Sequence, residues 1–180
     1  MKILKGMLIT ALVLVAIPLI AALFVKKDYA VEREVIIEKD SKEVFSFIKH
    51  LKNQSEYSVW QQRDPNMERT FTGTDGTVGF IASWKSENEE VGSGEQEITK
   101  IDEGKRIETE LRFKEPFEAT DQAYMETEAM EGNKTKVKWG FTGRMNYPMN
   151  VMLLFMDMEE MVGGDLQTGL DNLKGLMEKK

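Results

Sequence analysis

The chain has 180 residues, 41% of them hydrophobic and 31% charged. That is enough for one substantial domain and too charged for a bundle of membrane spans. It has no cysteine and one histidine, His50. This excludes disulfides, thiolate metal sites, cysteine nucleophiles and multi-histidine zinc or iron centres. Residues 1–27 hold four cations (Lys2, Lys5, Lys26, Lys27) and no acid. Without them 20 bases face 31 acids, a net charge of −11 on residues 28–180. An acidic body with no basic stripe repels phosphate backbones, so no nucleic-acid partner is expected. The acids Glu87, Glu89 and Glu90 fall in a hairpin without the regular oxygen spacing of a calcium loop, and neither a metal nor a redox cofactor is expected.

Met7–Val25 is nineteen residues without a charge. As a helix it spans about 28 Å, close to the hydrocarbon thickness of a bilayer. Lysine pairs bracket it, and Pro18 would kink it without forbidding insertion. No A-x-A site precedes Lys26 and there is no lipobox cysteine, so residues 1–27 are expected to be a retained single-pass anchor rather than a cleaved signal peptide. Positive charges on the two sides nearly balance. The orientation adopted puts the short N-terminus inside and the body, residues 28–180, outside the cytoplasm.

Residues 28–39 alternate, with Tyr29, Val31, Arg33, Val35 and Ile37 on one strand face. Asp40 or Ser41 offers a helix N-cap, and Val44, Ile48 and Leu51 form the stripe of the helix that follows. His50 falls at that helix's end, where a cation suits the dipole. Asn53 is expected to cap a second short helix running through Trp60, ended by the Asp64-Pro65-Asn66 turn. From Met67 to Met145 the period is two. Met67–Gly73, Thr77–Trp84, Gly94–Asp102, Lys105–Lys114, Glu118–Glu131 and Lys134–Arg144 read as six strands of an antiparallel meander. One face is apolar: Val78, Phe80, Ala82 and Trp84, then Ile107, Leu111 and Phe113, then Ala123 and Met125, then Val137, Trp139 and Phe141. The other face is charged. Pro148–Lys180 returns to helical spacing, with Phe155, Val162, Leu166, Leu170, Leu173 and Met177 on one face of a helix of about 28 residues.

Strand, two short helices, six strands and a long terminal helix resemble the helix-grip fold of the SRPBCC superfamily, which includes START lipid-transfer domains and pollen-allergen-like ligand carriers. Tyr57-Ser58-Val59-Trp60 with Asp64-Pro65 is similar to the aromatic W-S-x-W…D-P segment of the bacterial polyketide cyclase/dehydrase-like branch. Residues 73–79 (GTDGTVG), Trp84, Val91-Gly92-Ser93-Gly94 and Glu115-Pro116-Phe117 also sit where that branch has similar residues. The fold implied is α+β: a curved antiparallel sheet of about seven strands around a long C-terminal helix, preceded by one transmembrane helix.

The resemblance implies an apolar cavity between sheet and helix. Its wall would be Phe80, Trp84, Leu111, Phe113, Met125, Trp139 and Phe141, and the helix would supply Met152, Phe155, Met156 and Glu159. Four inward-phase positions are polar: Gln96, Thr109, Asp121 and Thr127. Such groups orient a ligand in an apolar site, unless a bulge turns some of them outward. Desolvation of Asp121 would raise its pKa and suit it to proton transfer, whereas a lone buried carboxylate is costly. The methionines at 145, 149, 152, 156, 158 and 161 suit either an adaptable apolar surface or ordinary core.

The function expected is a membrane-tethered binding or transfer module for a hydrophobic molecule such as a lipid, isoprenoid or polyketide-like compound. A cyclase or dehydratase is the enzymatic alternative, for which no catalytic residue transfers from the resemblance. A non-catalytic module that meets a protein partner through its acidic outer face is the third.

Overall fold

The computed structural model describes residues 2–179. Met1, Lys180 and the side chains of Lys2, Leu8 and Ala11, on which parts of the anchor and terminal-helix expectations fall, lie outside the described residues. Helix α1 covers Lys2–Ala22 and passes through Pro18. Its stretch Ile3–Ala22, with mean hydropathy 2.5, is long and apolar enough to cross a membrane, and its described large side chains are exposed. It ends three residues before the expected Val25. Leu23 and Phe24 donate to Ile20 and Ala21 in a tight last turn, and the buried Asn150 caps the carbonyls of Ala22 and Val25.

Strand β1 (Asp28–Ile37) alternates as expected, burying Val31 and Ile37. Asp40 accepts from the Lys42 amide and caps α2 (Ser41–Ile48), which buries Val44, Phe45 and Ile48. The expected helix through Trp60 is instead a 3-10 turn, Leu51–Glu56, followed by α3, Val59–Arg63. Asn53 caps neither: it lies inside the turn, and its side-chain NH2 donates to the Phe47 carbonyl. The Asp75 carboxylate receives the Leu51 and Lys52 amides at the start of the turn. His50 sits just beyond α2, bonded through Nδ1 to the Ser46 carbonyl.

The meander follows as β2 (Glu68–Thr72), β3 (Ile81–Lys85), β4 (Ser93–Asp102), β5 (Arg106–Glu115), β6 (Ala119–Met130) and β7 (Lys134–Arg144). With β1 they form one antiparallel sheet in the order β1-β7-β6-β5-β4-β3-β2. The third expected strand starts late. Gly76 and Gly79 take positive φ, which ends the extended chain, so Val78 lies in a loop, 60% exposed, rather than on the inner face. Register shifts in β4 between Ile98 and Lys100 let Ile98 and Ile101 both turn inward.

The expected terminal helix is two elements. Met149–Leu154 is a 3-10 turn, and α4 runs over Met158–Lys179. Asp157 breaks the run by accepting from the Glu160 amide through its side chain, an N-cap inside the apolar spacing. Helix α4 lies across β1 and β7, burying Leu166, Leu170, Leu173 and Met177 against Val31, Ile37, Val137 and Trp139. Arg33, on the inward phase of β1, donates to the Glu159 carboxylate and carbonyl and pins the first turn of α4. A smaller cluster of Leu51, Phe80 and Ile98 closes the far side.

Register places the ends of these elements. Asp28 pairs with Arg144, Phe113 with Ala119, and Ser93 with Glu115. The start of β1, where α1 attaches, therefore shares one end of the sheet with the β5–β6 turn and the start of β4.

Candidate ligand-binding cavity

Sheet and α4 part at that same end and leave a cavity of about 360 Å³, within the ~300–1,000 Å³ of small-molecule sites. The strand phase that brings apolar residues inward builds its walls. Leu111 and Phe113 come from β5, Ala123 from β6, Trp139 and Phe141 from β7, and Val162 and Leu166 from α4. Two glycines make room for the large rings. Trp84 lies over Gly94, its cross-strand partner, where a Cβ would come within 2.7 Å of the indole. Trp139 lies against Gly169 of α4, where a Cβ would again be 2.7 Å away. Edge contacts then hold both indoles: Trp84 on Phe113 at 5.9 Å, and Trp139 on Trp60 at 6.1 Å and Tyr57 at 5.7 Å. The mouth is framed by Gln61, Glu90 and Val91, and by Glu115, Pro116 and Phe117, of which Phe117 is 76% exposed.

Of the residues singled out in sequence, Trp84, Gln96, Leu111, Phe113, Asp121, Trp139 and Phe141 come together on this cavity. The others do not. Phe80 is fully buried in the second cluster. Met125 is packed in the core, where the Tyr57 hydroxyl donates to its sulfur at 3.4 Å. Thr109 is buried behind the wall, bonded to Gln96 and to the Ala123 carbonyl, and Thr127 donates to the Gly104 carbonyl. Met152, Phe155 and Met156 precede α4 instead of lying on it. Phe155 is 85% exposed, and Met156 borders a surface cleft beside Phe24 and Val25. Glu159 turns out to Arg33.

Sequence reasoning missed Tyr29, Gln54, Ser58, Trp60 and Met67, which also line the cavity. Tyr29 and Trp60 had visible signals, an inward strand phase and the W-S-x-W-like segment, but neither was placed on the wall.

Asp121 is the buried acid of the site. One oxygen accepts from the Arg144 amide at 3.3 Å, and burial pushes the carboxyl above its ordinary range, more than that bond offsets. Across the same space Tyr29 is pushed up to about 12, first by burial and then by the nearby Asp121 charge. In both groups burial disfavours the charged form. The outer face is no open acidic surface, because cations of neighbouring strands interleave with its carboxylates. Arg112 alone holds Glu95, Glu97 and Glu110 at 2.6–2.8 Å, which raises its own pKa.

No protein-family model matches the sequence, and no curated protein matches it significantly. Solved structures do match. A protein from Nitrosospira multiformis superposes with TM-score 0.60 at 13% identity, over 83% of this chain and 96% of its own. Ara h 8.0201 gives 0.55 at 14%, over 85% and 99%. A chain of the Aha1 dimer from Colwellia psychrerythraea gives 0.57 at 12%, over 83% and 96%. The fold is the helix grip. At these identities the likeness is one of fold alone. In this helix grip the grasped helix is α4, the grasping sheet contributes both indoles, and the mouth opens at the end where α1 attaches.

Proposed function

We propose that the protein is a membrane-tethered binding or transfer module for a hydrophobic small molecule, with residues 1–27 as anchor and 28–180 as the ligand-holding body. The observation that carries this reading is the aromatic-walled cavity of about 360 Å³, whose mouth opens at the α1 end of the sheet. An apolar molecule entering it would leave water for a wall of indole, phenyl and aliphatic carbon, with Asp121, Gln96 and Tyr29 among the groups able to orient it. A tether keeps that mouth near a lipid source without requiring tight binding. Helix-grip ligand carriers and the START-like resemblance support the same class.

The test is purification of the full chain from its source cell in mild detergent, with intact-mass measurement and mass spectrometry of the extracted small molecules. A stoichiometric apolar mass on a chain that retains residues 1–27 is expected. An empty protein that also fails to bind a neutral naphthalene fluorophore would overturn the carrier reading. A soluble product beginning near residues 22–28 would overturn the anchor.

A second reading, a polyketide-type cyclase or dehydratase, draws on Asp121 and Tyr29, a carboxyl and a phenol whose pKa values burial raises in one apolar cavity. Incubation with the co-purified molecule separates the two: a carrier returns it unchanged, and an enzyme returns a cyclised or dehydrated product.

A further inference from the structure

A second pocket, of about 60 Å³, adjoins the main cavity across residues that both share: Gln54, Gln61, Trp84 and Gln96. Its charged lining is Lys52 and Arg69, and no acid lines it. Arg69 sits on β2 opposite Trp84. Its Nη2 donates to the Gln61 carbonyl at 2.9 Å, its Nε is buried without a partner, and no carboxylate pairs with it among the described residues. The Lys52 ammonium likewise rests over the Phe71 ring at 4.9 Å instead of on an acid. Gln54, only 6% exposed, makes no side-chain hydrogen bond among the described residues and borders both spaces. In a chain of net charge −7, two cations without acids around one polar recess are a marked departure.

Arg69 is half-buried, and its charge is permanent. Its one bond, to the Gln61 carbonyl, leaves the buried Nε and the rest of the guanidinium fork free to meet an oxyanion from outside the chain. From this we infer that the smaller pocket receives the oxyanion head, a carboxylate or phosphate, of an amphiphile whose apolar tail occupies the main cavity. Arg69 meets the head with its planar fork, Lys52 adds charge, and Gln54 and Gln96 bond the remaining oxygens. The inference rests on the carrier reading and deepens it, since it names the ligand as an anionic amphiphile rather than a neutral one. A free carboxylate or phosphate offers the same head without the tail.

The experiment uses the full chain in phosphatidylcholine nanodiscs, with a neutral naphthalene fluorophore displaced by dodecanoate, 1-dodecanol, acetate or inorganic phosphate, against empty nanodiscs. Dodecanoate is expected to displace at a concentration at least about tenfold lower than the alcohol, the scale of a charge-assisted bond. Acetate and phosphate should act only at millimolar levels. Arg69→Gln should bring the carboxylate-to-alcohol ratio to about two or less, and Arg69→Lys should keep part of it. Lys52→Gln, on a different element, should lower the ratio too and serves if Arg69→Gln does not fold. Equal displacement by the two chains, or a ratio unchanged in the variants, overturns the inference and leaves the carrier reading standing. Acetate acting as strongly as dodecanoate overturns the amphiphile in favour of a free anion. Failure of the fluorophore itself to bind overturns both.

Discussion

The side-chain amide of Asn150 lies 2.7 Å from the carbonyl oxygen of Ala22, tying the last turn of α1 to a residue 128 positions away. A second bond at 3.0 Å reaches the Val25 carbonyl, and the Met145 amide donates to the Lys27 carbonyl. The apolar helix is thereby joined to the body by buried bonds as well as by the chain.

Asn150→Ala should loosen this junction. It leaves two carbonyls without their donor, although it also removes the buried, unpaired Oδ1 of the same side chain. The net loss of stability should be small, about 1 kcal/mol. Trypsin cleavage after Lys26 and Lys27 should accelerate several-fold while the rest of the chain stays protected. Unchanged cleavage at that junction would refute the clamp.

Met125→Trp and Leu111→Trp should behave in opposite ways. Met125 is 2% exposed and packed against Tyr57, so a larger ring there overpacks the core and should cost roughly 1–3 kcal/mol in urea unfolding. Leu111 lines the cavity, and an indole there has space to occupy. Its variant should unfold at nearly the parent's urea concentration yet bind the neutral fluorophore poorly. Two variants equally destabilised would mean that the space is filled.

Asp121 should make stability fall as pH rises. Its folded pKa is raised above the ordinary 3.8, so between those two values the folded state holds more protons than the unfolded one. The penalty is absent below about pH 3.8 and complete once pH exceeds the folded value. Asp121→Asn keeps an oxygen for the Arg144 amide and cannot ionise. Its melting temperature should exceed the parent's near pH 7, with the gap closing towards pH 4. A constant gap across that range would mean that the carboxyl titrates normally.

Arg112→Met removes the shared partner of three carboxylates on β4 and β5. The site is partly exposed, so the loss should be about 1 kcal/mol at low salt. It should shrink as added salt screens the repulsion left among Glu95, Glu97 and Glu110. Chemical denaturation at two salt concentrations reads this directly, and a salt-independent loss would point to packing instead.

Alternation made most of the fold legible, because a sheet with one buried face writes its register into the sequence. Trp84, Leu111, Trp139 and Phe141 reached the cavity wall for that reason. The errors fell where local chemistry interrupts a period. Asp157-Met158-Glu159-Glu160 carries a capping pattern, yet the methionines around it extend the helical spacing and hide the break. Positive φ at Gly79 stops a strand whose alternation continues through Val78. Whether an inward residue borders space or packs solid depends on what lies opposite, and so Met125 and Leu111 looked alike. That no carboxylate pairs with Arg69 among the described residues was likewise invisible, since pairing is a relation between distant residues that periodicity does not encode.

Only residues 23–27 separate α1 from β1. Fully extended they would reach about 18 Å, and their bonds to Met145 and Asn150 take up part of that reach. A lipid shuttle that commutes between facing membranes needs a long leash; this protein has a short, stapled one. If α1 is the anchor, cargo moves with the protein as it diffuses sideways in its own leaflet, and hand-over occurs only with what that leaflet brings to the mouth.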